Sequence, residues 1–313
     1  MILADVAPGL AQVRSYQRAW VRGDLAAGVA VAAYLIPQVM AYATVAGLPP
    51  AAGLWASLPP LIAYALLGSS RQLSVGPEST TALMTAVVLA PMAAGGSAHY
   101  AALAAALAVL VGMLCFVAGV ARLGFLANLL SRPVVVGYLA GIAIVMIGTQ
   151  LGKVTGVPVA GGDFVHQIRS FGAGVHHLHW PTIVLSGSVL VLLMLAARWT
   201  PRAPGPLIVV LAATAVVAAF SLAHHGIYVV GQIPAGSPAP AVPRVRLNEL
   251  TSLVVPASGI AVVAFSDTVL TGRAFAADKG EEVDANTDLR ALGLCNTAAG
   301  MMQGFPVSCS ASR

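Results

Sequence analysis

Long apolar runs, separated by short polar or Gly- and Pro-containing breaks, organise the whole chain. A helix needs roughly 20 apolar residues to cross the hydrocarbon core of a bilayer. Candidate spans are 24–46, 51–67, 98–120, 133–151, 181–198, 204–222, 252–272 and 285–301. Two further stretches, about 77–91 and 307 onward, are shorter and open close to Pro, Ser and Gly. No run alternates polar with apolar, so no strand is expected anywhere. The pattern predicts an all-α polytopic membrane protein, with an N-terminal segment over 1–23 and a membrane domain over 24–313. Residues 224–249, rich in Pro and Gly (GQIPAGSPAPAVPR), are expected to be an extended, irregular loop.

Composition strengthens this reading. Hydrophobic residues make up 58% of the 313 positions and charged residues 9%, against roughly 25% charged in soluble domains. The net charge of +5 comes from basic residues scattered singly between apolar runs, so no nucleic-acid partner is indicated. Nearly all of those basic residues are Arg, and with the abundance of Ala this suggests a GC-rich bacterial genome and an inner-membrane location. The first 22 residues lack the apolar core and cleavage site of a signal peptide. Cys115, Cys295 and Cys309 are isolated and read as small buried residues.

Orientation follows from the Lys/Arg balance of alternate loops. A cytoplasmic N-terminus collects Arg14, Arg18, Arg22, Arg71, Arg122, Arg132, Arg198, Arg202, Arg273, Lys279 and Arg290 on one side, against Lys153, Arg169, Arg244 and Arg246 on the other. That count requires 77–91 to act as a full crossing. The His residues, including the HHLH segment at 176–179, then fall outside. They are either polar loop residues or, at HHLH, a metal- or pH-sensing group. No nucleotide-binding loop, catalytic triad or metal-ligand cluster suggests an enzyme or a bound cofactor.

Carboxylates inside a bilayer are expensive and therefore candidates for function. Glu78 and Asp267 are the ones expected inside membrane segments; the remaining acids, Asp288 among them, are expected in loops or at span ends. Asp267 lies in AVVAFSDTVLTGRAFA, with Thr268 beside it and Thr271 one helical turn on, on the same face. Such a group ligates a hard cation such as Na⁺, takes up a proton, or is satisfied by a neighbouring span. Thr268 is equally able to bond its own helix. Glu78 sits in SVGPESTTALMTA, where Gly76-Pro77 starts a helix whose first turn holds Ser79, Thr80 and Thr81. Free N–H groups and the positive dipole end suit an anion there. An ionised Glu78 would fill that field itself, and reads either as a protonatable gate or as a favourable N-terminal residue. Gln38 and Tyr42 share a face after Pro37 and can donate to an oxyanion or bond between helices. Ser308, Ser310, Ser312 and Arg313 offer hydroxyls and a fixed positive charge.

At these residues the sequence resembles the SulP family of anion transporters, which includes sulfate permeases, cyanobacterial bicarbonate transporters, pendrin and prestin. The matching stretches are IPQVMAYATVAGLPPAAGLWASLPPLIAYALLGSSRQLSVGPESTTALMTA, LSRPVVVGYLAGIAIVMIGTQLGK and RAFAADKGEEVDANTDLRALGLCNTAAGMMQGFPVSCSASR, in the family's order. The resemblance implies a seven-plus-seven inverted-repeat transporter fold. The first repeat would occupy about 24–222 and an incomplete second repeat about 252–313. It places the anion between short helices 3 and 10, beside Gln38, Tyr42, Ser79, Thr80, Ser310, Ser312 and Arg313; Glu78 joins them as a substrate-binding candidate from its position alone. Asp267 matches the acidic position of helix 8, and with Thr268 and Thr271 looks closer to the sodium-dependent members than to the proton-coupled ones.

The implied function is secondary active transport of a small inorganic oxyanion, sulfate first and bicarbonate next, coupled to Na⁺ or H⁺ by alternating access, in a homodimer. The family continues for four more spans and usually a cytoplasmic STAS domain. The sequence is thus expected to be truncated in helix 10 and to lack the STAS domain. A non-transporting fragment or assembly partner is the alternative. A nucleobase permease shares the fold, but Ser and Arg stand where those carriers place a helix 10 carboxylate.

Overall fold

The structure, a computed structural model, describes residues 16–70, 72–128, 132–159, 164–199, 205–227, 240–277 and 283–309, with single positions 9, 229 and 236 besides. In chain order, the helices are α1 (Val21–Val45), α2 (Pro50–Trp55), α3 (Leu58–Leu67), α4 (Ser79–Leu89), α5 (Gly96–Val120), α6 (Arg132–Thr155), α7 (Phe164–Gly174), α8 (Trp180–Trp199), α9 (Gly205–Ala219), α10 (Leu247–Ala277) and α11 (Ala285–Met301). Among the described residues, five apolar helical stretches, Arg18–Val45, Pro50–Leu67, Gly96–Val120, Trp180–Trp199 and Leu247–Gly272, are long enough to cross a bilayer. The chain is thus mostly helical and of membrane type, as the apolar runs predict.

Three details depart from the sequence reading. The run 51–67 is two helices, because each of α2 and α3 has Pro in its first turn, where a missing N–H does no harm. Residues 164–174, expected as loop, form the helix α7. One pair of strands exists despite the absence of alternation: β1 (Val75–Gly76) runs antiparallel to β2 (Ser308–Cys309). With two residues each, the strands are too short to leave a period-2 signature.

The chain divides into two compact units, with divisions after Pro37 inside α1 and after Val136 inside α6. The first holds Gln38–Val136 and Pro234–Arg313 together with the N-terminal Met1–Val21. Its centre is the packing of α5 against α11, with α3 also packed on α11 and α10 against α5. Small residues let the two central backbones touch. A Cβ added at Gly112 would lie 2.6 Å from the Gly293 carbonyl oxygen, and one at Gly293 would lie 2.6 Å from the Phe116 backbone nitrogen. Gly300 approaches Ala105 and Gly119 approaches Asn286 in the same way. The contact therefore repeats every seven residues along each helix, two turns apart. Polar ties complete the unit: Tyr100 donates to the Ala46 carbonyl (2.8 Å), and His99 Nε2 pairs with Glu249 Oε1 (3.0 Å).

The second unit, Arg22–Pro37 and Gly137–Ile233, is built on α6 to α9. The His179 backbone N–H donates to the Thr155 carbonyl at the end of α6 (3.0 Å), and the Ser186 hydroxyl reaches the Val154 carbonyl (2.7 Å). Within this unit α8 is apolar along its length and buries no residue, which is the composition of a helix that meets lipid. Of the HHLH segment, His179 bonds the Thr182 hydroxyl through Nδ1 at 2.8 Å.

Candidate anion and coupling-ion site

The start of helix α4 is set by its sequence. Gly76 and Pro77 end the extended segment, and Glu78, with φ −140° and ψ 169°, is the N-cap. Eleven residues at about 1.5 Å each rise roughly half of the ~30 Å hydrocarbon core. A helix that begins inside a bilayer exposes backbone groups that lipid cannot satisfy. The extended backbone ahead of the helix meets the same need by pairing with β2: Val75 opposes Cys309 and Gly76 opposes Ser308, all four buried.

The Glu78 carboxylate turns back onto its own helix. It accepts from the Thr80 N–H at 2.7 Å and from the Thr81 N–H, and the side chain is 4% exposed. The protein's own carboxylate thus occupies the positive end of α4, the arrangement of a strong N-cap. An anion has no access to those two amides while the cap is in place. Ser79, beside it, is half-buried, and its hydroxyl lies 3.4 Å from Glu78 Oε2. Thr80 is buried and contributes its N–H to the cap.

Strand β2 is held from two sides. The Asn296 amide, fully buried in α11, accepts from the Val307 N–H at 2.9 Å and donates to the Val307 carbonyl at 3.0 Å, as a neighbouring strand would. The Ser308 hydroxyl donates to the Ala264 carbonyl of α10 at 3.0 Å, and Thr268 donates to the same oxygen at 2.7 Å. The Thr268 hydroxyl proton is therefore committed to its own helix. Asp267, half-buried and one residue before it, makes no hydrogen bond or ion pair among the described residues. The carboxylate of Glu78 is a like charge that acts on it. Thr271, half-buried, shares its face of α10.

The first unit therefore brings together the start of α4, strand β2 and the Asp267 turn of α10. Gln38 and Tyr42 belong to the same unit and bond each other, Nε2 to hydroxyl at 2.9 Å, while Gln38 Oε1 is buried without a partner. Turning that amide over lets the Tyr42 hydroxyl donate to Oε1 and frees both N–H donors. Ser310, Ser312 and Arg313 lie outside the described residues; in sequence they follow directly on β2.

Sequence reasoning missed Asn296 and the burial of Asp288. Asp288, expected in a loop or at a span end, lies in the first turn of α11 and is fully buried. Its Oδ1 accepts from the Tyr64 hydroxyl (3.0 Å), the Ser69 N–H (3.0 Å) and the Ser69 hydroxyl (2.9 Å), while Oδ2 is buried without a partner. The bond to Ser69 ties the segment that leads into β1 onto α11. A signal existed: Asp288 falls on one helical stripe with Leu292, Cys295 and Ala299, all buried.

Comparison with known proteins agrees with this architecture. Residues 21–313 match the model of the sulfate permease family. The chain is 64% identical over 313 residues to a probable sulfate transporter of Mycobacterium tuberculosis, covering 100% of this chain and 56% of that protein. It is 35% identical over 320 residues to human solute carrier family 26 member 6, covering 95% of this chain and 42% of that protein. The chain thus spans about half the length of the curated relatives it matches. In fold it is similar to the murine solute carrier 26 family member A9 anion transporter (TM-score 0.88, 23% identity, 97% of this chain and 54% of that one). It is likewise similar to the transmembrane domain of a cyanobacterium bicarbonate transporter (TM-score 0.84, 21% identity, 95% of this chain and 76% of that one). With the broken helix at Glu78, the strand pair and the family match over nearly its whole length, the chain belongs to the sulfate permease family, a family of transporters and not of enzymes.

Proposed function

We propose that the chain forms the site-bearing part of a secondary active transporter for a small inorganic oxyanion, sulfate first and bicarbonate next, in a bacterial inner membrane with its N-terminus in the cytoplasm. The observation that carries the reading is the β1–β2 pair. It joins two segments in which backbone is non-helical within a membrane unit, and such places bind ions in transporters built from two repeats. A seven-plus-seven repeat predicts this pairing of equivalent breaks. The 64% identity to a probable sulfate transporter favours sulfate. Because Glu78 fills the end of α4, the anion is bound beside the cap, by the Ser79 hydroxyl, the Gln38 amide and Tyr42. Ser310, Ser312 and Arg313, which follow β2 in sequence, are the further candidates for holding the anion.

Asp267 is the coupling residue in this reading. A half-buried membrane carboxylate with no partner among the described residues gains most from an incoming Na⁺ or proton. The cation also offsets the like charge of Glu78 and so permits an anion nearby. Division of the chain into two internally packed units fits alternating access by movement of one unit as a body.

Radiolabelled sulfate uptake into proteoliposomes of the natural protein, under an imposed Na⁺ or pH gradient, tests the proposal. Uptake is expected to rise with one of the two inward gradients. Asp267→Asn is expected to remove that stimulation while sulfate still competes for binding. Gradient stimulation that persists in Asp267→Asn would sink the coupling role, and absence of any oxyanion uptake would sink the transport reading.

A further inference from the structure

A second polar site lies away from β1 and β2, where the end of α5 meets the start of α11. A cavity of about 410 Å³ opens there, lined by Gly119, Val120, Arg122, Asp284, Asn286 and Arg290. That is within the size range of small-molecule sites, about 300–1,000 Å³. Its acid is already engaged. Asp284 caps α11, with Oδ1 accepting from the Asn286 N–H (3.0 Å) and Oδ2 from the Thr287 hydroxyl. Its cations are engaged only in part. Arg290 donates from Nε to the Asn286 carbonyl (3.3 Å) and from Nη2 to Thr287 (2.8 Å), which leaves Nη1 uncommitted. The Arg122 side chain is exposed and makes no hydrogen bond or ion pair among the described residues. Its backbone sits at φ 58°, the left-handed conformation for which glycine is the unstrained residue at a helix end.

We propose that this cavity binds a phosphate group, held between the guanidinium groups of Arg122 and Arg290, with the lipid bilayer as its source. Planar guanidinium donors match phosphate oxygens in pairs, and basic pockets at the ends of membrane helices take anionic headgroups. The apolar face of α5 that runs up to the cavity is exposed at Met113, Val117 and Val120. These residues are spaced i, i+4 and i+7, so they present one surface for acyl chains. The site stands independently of the transport reading, since none of its residues belongs to the anion or coupling-ion constellation.

The natural protein in neutral detergent, titrated separately with phosphatidylglycerol, phosphatidylcholine and inorganic phosphate, tests this by the rise in unfolding temperature. Phosphatidylglycerol is expected to stabilise saturably and phosphatidylcholine not to. Arg122→Gly relieves the backbone strain, so the variant is expected to be at least as stable without lipid. It should nevertheless require about fivefold more phosphatidylglycerol for half the effect, the contribution of one cation at an anionic surface. Stabilisation by inorganic phosphate, lost in Arg122→Gly, would support the phosphate site with a soluble source. An unchanged response in Arg122→Gly, or equal stabilisation by both lipids, would overturn the proposal.

Discussion

Gly293→Leu is expected to abolish the folded protein. The Cβ alone would meet the Phe116 backbone nitrogen at 2.6 Å and the Gly112 carbonyl oxygen at 2.8 Å. Both belong to the hydrogen-bonded backbone of α5, which cannot rotate aside as a side chain would. The only relief is separation of α5 from α11. That separation empties the seam from Ala105 to Gly119 and loosens the helix that carries Asp288 and Asn296. Ordinary overpacking costs about 1–3 kcal/mol; a clash of backbone with backbone along the central packing exceeds that. Size-exclusion chromatography after detergent extraction measures the outcome, with loss of the monodisperse peak expected. Gly187→Leu in α8 is the control, because nothing lies within 4 Å of an added Cβ there. A Gly293→Leu protein that elutes and melts like the Gly187→Leu control would show that the seam is dispensable.

The long helices were legible because a bilayer demands length and apolarity together, and both are written locally in the runs that became α1, α5, α8 and α10. The start of α4 was legible for a similar reason, since Gly-Pro followed by hydroxyl residues punctuates a chain without reference to its partners. Long-range relations left much weaker traces. The pairing of Val75 with Cys309 rests on two residues per strand, and nothing in either segment names the other. Asp288 stands at a span end as expected, but its burial went unread because it follows a run of loop acids by only a few positions. Only its helical stripe shows that it points inward. Asn296 escaped because a neutral amide in an apolar helix carries no insertion penalty of the size that marks a charge. Glu78 illustrates the limit in the other direction. Its place at a helix start was readable, but whether it gates an anion or caps the helix depended on where its carboxylate turned.

Asn296→Leu is expected to cost more stability than any other single change at the candidate site, at nearly constant side-chain volume. The amide acts as a missing strand for one peptide: its oxygen takes the Val307 N–H and its nitrogen gives to the Val307 carbonyl. It also donates back to the Leu292 carbonyl of its own helix at 3.0 Å. Leucine fills the space and offers neither donor nor acceptor. The Val307 N–H and C=O are then orphaned beside Phe305 and Val307 side chains that are fully buried, where no water reaches them. Each buried orphan costs about 1–3 kcal/mol, so the pair predicts a loss of roughly 2–6 kcal/mol. The damage is also directional. Val307 precedes Ser308, so a released Val307 frees β2 from β1 and moves Ser308 off the Ala264 carbonyl. Unfolding temperature in detergent is expected to fall sharply in Asn296→Leu. Sulfate protection against unfolding is expected to disappear even at temperatures where the helices persist by circular dichroism. Asn296→Gln, which keeps both groups on a longer arm, is expected to recover part of each. Equal melting of Asn296→Leu and the parent would mean that the amide clamp does not hold β2, and that the strand pair is maintained by Ser308 and the β1 backbone alone.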